Sequence, residues 1–356
     1  MDVRLSLEQQ ALRDATAQVV DRRGPRTVGQ LDDLERREKL EAAVDASGWR
    51  ELRAAAEGGA PLASGVECAI VAEELGRGLA DAPFLGPVLA SELRRLAGAP
   101  ASGTVETVAL TEDLSAMAVA VPGAPASAVA VTGAPASAVV VDAQGSTHAL
   151  VLVASSGGHH LGRVALSGAP TGVDLTRPSR SLDPASPAEP LGPSDRFLTA
   201  DDRSRWTALG LSLTCADLVG AMSGAVQLAC AYAAERRQYG AAIGSFQAVQ
   251  HLLADAFVAT EGARSVTRHA AWAVDALDAQ DALGAAAVAK AYCARAAREV
   301  CETAIQVHGG IGNTWECLAH VYLRRALLST DILGDAGVNL TRVLAHRGIG
   351  GIDGLR

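Results

Sequence analysis

The deciding stretch runs Gln306-Val307-His308-Gly309-Gly310-Ile311-Gly312, where helix-forming sequence meets a run of glycines. Small and apolar residues at helical spacing over 282–307 predict a long helix, and the glycines predict its end. Gly309 and Gly310 would let backbone N–H groups approach an anion, because neither residue carries a Cβ atom. The same turn is also typical of an ordinary helix end. A second stretch of sequence is needed to decide between an anion-binding turn and a simple helix end.

The second stretch runs Arg236-Arg237-Gln238-Tyr239-Gly240 and is followed by Phe246-Gln247. It separates two predicted helices, 206–237 and 246–272, which are rich in small and apolar residues. The planar guanidinium of Arg236 suits a pyrophosphate, although it would also serve as a solvated cation at a helix end. Gln247 and Gln306 add neutral donors and acceptors that suit a nucleotide.

The bulk composition excludes several classes of protein. The chain has 356 residues, of which 49% are hydrophobic, and its formal net charge is −9. An acidic chain without a basic stripe is a poor binder of nucleic acid or of an anionic membrane surface. The N-terminus lacks the layout of a signal peptide, so we expect a cytoplasmic protein. None of the six cysteines forms a C-x-x-C pair, which favours buried free thiols over a metal site.

The order of elements predicts an α+β fold with segregated parts. Residues 1–104 are expected to form a helical domain, and Ser6 with Gln9 resembles a capping box. Residues 105–199 carry short apolar runs between turn residues, which predict a shortened, antiparallel β-domain. Within it, Gly123–Val129 recurs as Gly133–Val139 and suggests two similar strands. Residues 200–356 are expected to form a four-helix bundle, with 315–333 as its fourth helix.

Several of these segments resemble the acyl-CoA dehydrogenase family. In the N-terminal part the resemblance rests on Gly48-Trp49 and on Val71-Ala72-Glu73-Glu74-Leu75-Gly76-Arg77. In the C-terminal part it rests on Arg236-x-Gln238-Tyr239-Gly240, Phe246-Gln247-x-x-Gln250 and Gly309-Gly310-x-Gly312. The resemblance implies FAD as cofactor, an acyl-CoA thioester as substrate and an oligomeric assembly. It also implies that this chain contacts FAD that is held mainly by a neighbouring subunit. The residues expected to make these contacts are Arg236, Gln238, Tyr239, Gln247, Gln306, Gly309 and Gly310.

The family's catalytic base has no carboxylate counterpart in this chain. The reaction needs a carboxylate beside the α-carbon of the thioester. One branch of the family places it where this chain has Leu333-Gly334, and the other at or near Gly210. Asp331 and Asp335 flank the first position and are weak candidates, because a side chain two positions along a helix points elsewhere. The family's CoA-contacting Asp-x-x-Arg pair falls on Ala208 and Leu211.

The flavin-binding strand of the family is also reduced here. Leu110-Thr111-Glu112-Asp113 is a partial remnant of it, and no Phe, Tyr or Trp occurs between Phe84 and Phe197. The resemblance therefore implies a subunit that serves a neighbour's flavin better than its own.

Three hypotheses follow from this pattern. The first is a subunit of an α2β2 acyl-CoA dehydrogenase whose second, similar chain supplies the base; in the family such complexes often act on steroid or other bulky acyl-CoA thioesters. The second is a self-sufficient homo-oligomer in which an acid such as Asp331 or Asp335 has been relocated. The third is a non-redox scaffold or a flavin-independent relative. The acyl substrate and the electron acceptor cannot be inferred from these residues.

Overall fold

The computed structural model describes residues 4–120, 130–131, 134–135, 138–183 and 186–349. Helices come first, strands occupy the middle and helices return, as the α+β prediction requires. The α-helices in these residues are α1 (Leu7–Arg23), α2 (Leu34–Ala46), α3 (Gly65–Arg77), α4 (Leu85–Leu96), α5 (Ala200–Glu235), α6 (Gln247–Ala276), α7 (Ala279–His308), α8 (Ala319–Asp331) and α9 (Ala336–His346). The strands are β1 (Glu106–Leu110), β2 (Val119–Ala120), β3 (Ala130–Val131), β4 (Ala134–Pro135), β5 (Val139–Val140), β6 (His148–Ser155), β7 (Gly158–Thr171), β8 (Ser179–Leu182), β9 (Glu189–Leu191), β10 (Arg237–Gln238) and β11 (Ala241–Ala242).

The N-terminal helices begin where capping residues stand. The predicted capping box at α1 is confirmed, because Ser6 and Gln9 each bond to the other's backbone N–H. Ser64 and Glu67 open α3 in the same way. α2 ends at Ala46, shortly before Gly48, which takes a left-handed conformation with φ of 65°.

The strands of the middle part form a closed ring of hydrogen-bonded neighbours, in the order β1, β6, β7, β8 and β5. β1 pairs with β5 and β6, β5 pairs with β8, and β7 pairs with β6 and β8. Most pairs are antiparallel, but β1 and β2 both run parallel to β6, with Glu106 opposite His148 and Val119 opposite Leu152. The prediction of antiparallel structure is wrong for these two pairs, because side-chain alternation identifies a strand without identifying its neighbour. The two-copy repeat at 123–139 lies largely outside the described residues.

The C-terminal helices form the bundle that the sequence predicts. α5, α6, α7 and α8 agree with the predicted helices to within a few residues at most ends, and α9 is a further helix. α5 begins six residues earlier than predicted, because Thr199 and Asp202 form a capping box before it. It is long and apolar enough to cross a membrane by composition, yet 94% of its apolar window is buried, as in a core helix.

A buried ion-pair network joins the bundle to the β-domain. Asp217 on α5 accepts hydrogen bonds from Arg325 at 2.7 and 2.9 Å and from Ser329 at 2.6 Å, both on α8. Arg177, in the segment between β7 and β8, lies 3.1 Å from Asp217 and 2.9 Å from Asp174. Burial would raise the pKa of Asp217, but Arg177 and Arg325 hold it below its usual range.

Candidate functional site

A tight hairpin presents the residues that connect α5 to α6. Arg237 pairs with Ala242 and Gln238 with Ala241, which leaves Tyr239 and Gly240 as a two-residue loop. Both loop residues have positive φ, 52° and 78°, as a type I′ turn requires. The side chain of Tyr239 is 96% exposed. We call residues 236–247 together with residues 306–310 the turn surface.

The two halves of the turn surface meet through an aromatic contact. The ring of Tyr232, in the last turns of α5, stacks on His308 at the end of α7, with the ring centroids 4.5 Å apart. Gly309 follows with φ of 66°, a conformation that favours glycine, and space around both Gly309 and Gly310 is open. The structure therefore brings the predicted Arg236 and Gly309-Gly310 segments to one end of the bundle.

Apart from His308, which is buried, the polar side chains of the turn surface are exposed. Gln238 donates from Nε2 to the carbonyl of Arg237 at 2.9 Å. Within the described part of the chain, the side chains of Arg236, Gln247 and Gln306 make no hydrogen bond or ion pair. Their donors are available to a ligand or to another polypeptide.

The two positions at which the resemblance places a base lie against each other. Leu333 is 1% exposed and has φ of 62°. A Cβ atom added to Gly210 would lie 2.3 Å from Cδ1 of Leu333. An apolar side chain therefore occupies the volume between the two positions, and glycine at 210 makes room for it.

Hydrogen bonds tie the Leu333 turn to the β-domain. The N–H of Leu333 donates to the carbonyl of Leu114 at 2.7 Å. Arg342 on α9 donates to the carbonyl of Leu333 at 2.6 Å and to that of Ser115 at 3.1 Å. These bonds hold the loop after β1, which contains the remnant of the flavin-binding strand, directly against the bundle. We call the Gly210–Leu333 contact with these bonds the filled cleft.

A cavity of about 240 Å³ lies beside the filled cleft, between the β-domain and the bundle. Asp202 is the only carboxylate residue that lines it within the described chain, and it was not among the predicted acids. Both N–H and Oγ1 of Thr199 donate to its Oδ2, at 2.9 and 2.8 Å, so Asp202 is the capping-box partner of Thr199, the N-cap of α5. The Thr-x-x-Asp pattern before an apolar run is the sequence signal that identifies it. Other residues that line the cavity are Met117, Leu152, Leu198, Arg203, Trp206, Leu333 and Arg342.

The predicted acids lie outside the lining of this cavity. Asp331 and Asp335 are exposed, and Asp335 caps α9 by accepting the N–H of Val338 at 2.8 Å. Burial raises the pKa of Asp331, Lys290 opposes the shift, and Asp335 adds to it. Asp217, a third acid near the predicted base positions, is held in the buried ion-pair network.

A buried lysine fixes the end of α8. Lys290 on α7 is fully buried, and its Nζ donates to the carbonyls of Ser329 and Ile332, the latter at 2.8 Å. These are among the carbonyls that a helix end leaves without intrahelical partners. Burial lowers the pKa of Lys290 to about 8. The residue thus positions the backbone immediately before Leu333.

Comparison with known proteins identifies relatives of this chain. Residues 212–347 match the model of the acyl-CoA dehydrogenase C-terminal domain. Acyl-CoA dehydrogenase IpdE2 of Mycobacterium tuberculosis is 32% identical over 273 residues, which are 75% of this chain and 73% of that protein. Acyl-CoA dehydrogenase FadE34 of the same organism is 42% identical over 137 residues, 38% of this chain and only 19% of that protein. The match to IpdE2 of Mycolicibacterium smegmatis spans 41% of that protein at 37% identity and covers 38% of this chain.

Two solved structures share the fold across nearly the whole chain. The Tcur3481-Tcur3483 steroid ACAD variant has a TM-score of 0.77 at 23% identity, with 96% of this chain and 98% of that chain covered. The ChsE4-ChsE5 complex from Mycobacterium tuberculosis has a TM-score of 0.74 at 24% identity, with 98% and 99% covered. At these identities the likeness concerns the fold.

Proposed function

This chain belongs to the acyl-CoA dehydrogenase family, and from that premise we propose that it is the baseless partner subunit of a heteromeric acyl-CoA dehydrogenase. In this proposal a second, similar chain supplies the carboxylate that removes the α-proton of the acyl-CoA thioester. The present chain contributes the turn surface to FAD held chiefly by that second chain.

The observation that carries the proposal is the filled cleft. Leu333 and Gly210 stand at the two base positions, and the Leu333 side chain fills the space between them. Among the residues lining the adjoining cavity, the carboxylate of Asp202 is engaged as a helix cap. A proton abstraction inside this chain would need a carboxylate placed differently from those described.

The turn surface fits the adenosine diphosphate half of a flavin. Arg236 offers an exposed guanidinium for the pyrophosphate, and Gly309 and Gly310 offer backbone without a Cβ obstacle. Gln247 and Gln306 supply neutral hydrogen-bonding groups beside them. Phe197, near the end of the chain's own β-domain, is the one Phe, Tyr or Trp in residues 105–199, and its ring packs against that of His160. When bound, FAD supplies the acceptor for the β-hydrogen of the thioester.

An exposed apolar face supports assembly with another chain. Three neighbouring helices of the bundle, α6, α7 and α9, carry large apolar side chains that are 40% to 67% exposed. Apolar patches of this kind mark interaction surfaces on soluble proteins. The face comprises Leu252, Phe257 and Val258 on α6, Val288 and Tyr292 on α7, and Leu340 and Leu344 on α9.

We assign the substrate to the class of bulky acyl-CoA thioesters, such as those of steroid acids. The support is the likeness of the fold to a protein described as a steroid ACAD. Turnover of a steroid acyl-CoA but not of butyryl-CoA by the assembled complex would support this class, and the reverse preference would exclude it.

The decisive test is the visible absorption spectrum of the purified chain, measured alone and after co-expression with the product of any adjacent acyl-CoA dehydrogenase-like gene. Flavin bands in the complex only are expected. Flavin bands in the chain alone, bleached by an acyl-CoA, would instead support the self-sufficient homo-oligomer with a relocated acid, for which Asp331 is the better placed candidate. Absence of flavin from both preparations would support the non-redox alternative.

A matched pair of arginine variants tests the turn surface within the complex. Arg236→Ala removes the cation proposed to meet the pyrophosphate, so flavin content per complex should fall. Arg298→Ala removes an arginine that is 66% exposed on α7 and paired with Glu302, and it should leave the flavin content unchanged. Equal flavin content in the two variants would contradict the assignment of Arg236.

A further inference from the structure

The cavity beside the filled cleft has an apolar floor and a polar mouth. Ala116 and Arg203, which are exposed, line its mouth together with the half-buried Arg342. Nε1 of Trp206 donates to the carbonyl of Leu89 at 3.0 Å, so the indole presents no unpaired donor to the cavity. The apolar floor is formed by the buried side chains of Leu93, Met117, Leu152, Leu198, Trp206 and Leu333.

The two arginines at the mouth have no acidic partner within the part of the chain that the structure describes. The side chain of Arg203 makes no hydrogen bond or ion pair there. Arg342 donates only to uncharged oxygens, which are the carbonyls of Leu333 and Ser115 and the side-chain amide of Asn339 at 2.9 Å. Burial lowers the pKa of Arg342, and no neighbouring carboxylate opposes this shift.

The one carboxylate in the described lining does not neutralise these cations. Asp202 accepts two hydrogen bonds from Thr199 and forms no ion pair with Arg203 or Arg342. Two positive charges against one negative charge leave the mouth with a positive potential above an apolar floor. A guanidinium binds a carboxylate through paired N–H donors, and the buried apolar floor favours hydrocarbon.

We propose that this cavity is a binding site for a small amphipathic carboxylate, which is held there without undergoing chemistry. The apolar body of the acid lies against Met117 and Trp206, and its carboxylate faces Arg203 and Arg342 at the mouth. The cavity of about 240 Å³ is smaller than the roughly 300–1,000 Å³ of typical ligand pockets. This size favours a short-chain or single-ring acid over a thioester that carries a nucleotide.

The first experiment compares a carboxylate with its uncharged analogue on the full chain. We would titrate the purified chain with hexanoate and with hexanamide by isothermal calorimetry at pH 7. A Kd on the order of 1 mM is expected for so small a ligand as hexanoate. Hexanamide should bind at least about tenfold more weakly, because hydrogen bonds to a charged partner are the stronger ones. Equal affinity for both ligands, or no binding of hexanoate, would overturn the proposal.

Variants then locate the binding in this cavity. Arg203→Ala removes an exposed cation at the mouth and should raise the Kd of hexanoate by about threefold. Arg298→Ala removes an exposed arginine of α7 outside the cavity lining and should leave the Kd unchanged. Ala116→Phe places a ring in the mouth and should abolish binding. Unchanged affinity in both Arg203→Ala and Ala116→Phe would place the ligand elsewhere and overturn the assignment.

A second readout follows from the parts of the chain that the ligand joins. Met117 and Leu152 belong to the β-domain, whereas Trp206 and Leu333 belong to the bundle. A ligand that binds only the folded chain raises its unfolding temperature. Saturating hexanoate should therefore raise the Tm of the wild type and leave that of Ala116→Phe unchanged. Equal rises in Tm for the two proteins would contradict binding in this cavity.

The inference stands apart from the proposed function, because the cavity lies within one chain and the titration needs no flavin. Flavin bands in the chain alone would contradict the proposed function, while the comparison of hexanoate with hexanamide would still test the cavity. Hexanoyl-CoA is the last control. If hexanoyl-CoA binds and hexanoate does not, the cavity is part of a thioester site and the assignment to a free acid is wrong.

Discussion

The turn surface and the filled cleft lie in the same bundle but differ in exposure and in bonding. At the turn surface, the polar side chains of Arg236, Gln247 and Gln306 are exposed, without partners in the described chain. At the filled cleft, Leu333 is enclosed, and its backbone N–H and carbonyl are both bonded to other elements. The contrast supports the proposal that the turn surface contacts another molecule, while the filled cleft stabilises the chain. Each prediction below tests one side of this contrast.

The largest effect is expected at the network behind the cleft. Asp217→Ala would leave Arg177 and Arg325 buried without their shared carboxylate. Breaking a buried ion pair from one side costs roughly 3–5 kcal/mol, so urea unfolding should show a loss of that order. Asp14→Ala removes an acid from an exposed pair with Arg13 and should change the free energy of unfolding by less than about 1 kcal/mol. Similar losses in the two variants would show that the network contributes little.

The next effect is a pH dependence carried by Lys290. Its pKa is lowered from 10.5 to about 8 by burial, so between these values the unfolded chain binds more protons than the folded chain. Stability from Lys290 therefore rises with pH across this window, by up to about 3 kcal/mol. The difference between wild type and Lys290→Met in the free energy of unfolding should shift in favour of the wild type from pH 8 to pH 10.5. A pH-independent difference would show that Lys290 stays charged when buried.

A smaller effect is expected from the glycine that faces Leu333. Gly210→Ala gains about 1 kcal/mol of helix propensity but forces Leu333 aside, which costs about 1–3 kcal/mol. In a Leu333→Ala background the clash disappears and only the gain remains. A double-mutant cycle measured by thermal unfolding should therefore show a coupling of at least about 1 kcal/mol. Additive effects would mean that the two side chains do not share this space.

The smallest effect is expected at the turn surface of the isolated chain. Arg236 makes no side-chain bond in the described structure, so Arg236→Ala should change the free energy of unfolding by less than about 0.5 kcal/mol. Its proposed effect on flavin content in the complex would then stand apart from stability. A loss above 1 kcal/mol in the isolated chain would give Arg236 a structural role instead.

Much of the fold was predictable because its signals are local. Helical spacing identified α5 to α8, and Ser6 with Gln9 identified the start of α1. The closure of the β-domain was not predictable, since a short apolar run does not specify whether its neighbour is parallel. α9 is a helix that the helical spacing alone did not predict, although Asp335 before it is a typical N-cap residue.

The candidate site was also predictable only in part, because some of its contacts join segments that are far apart in the sequence. Residues adjacent in sequence, such as Gly309 and Gly310, could be assigned by resemblance, and their part in holding FAD remains a prediction. The contact between Gly210 and Leu333 joins α5 to the distant turn between α8 and α9. Its detail depends on a left-handed leucine that no propensity favours. The partners of Lys290, the carbonyls of Ser329 and Ile332, are likewise distant in sequence and are given only by the structure.

The hairpin tip at Tyr239 and Gly240 has a consequence for how fast a complex assembles. Its backbone is already held by the β10–β11 pairing, with both loop residues in the conformation that a two-residue turn demands. A loop that is ordered before encounter loses little conformational entropy when it docks. The hairpin is therefore suited to making an early contact when a second chain binds. Differences in affinity between related complexes should then appear mainly in the dissociation rate.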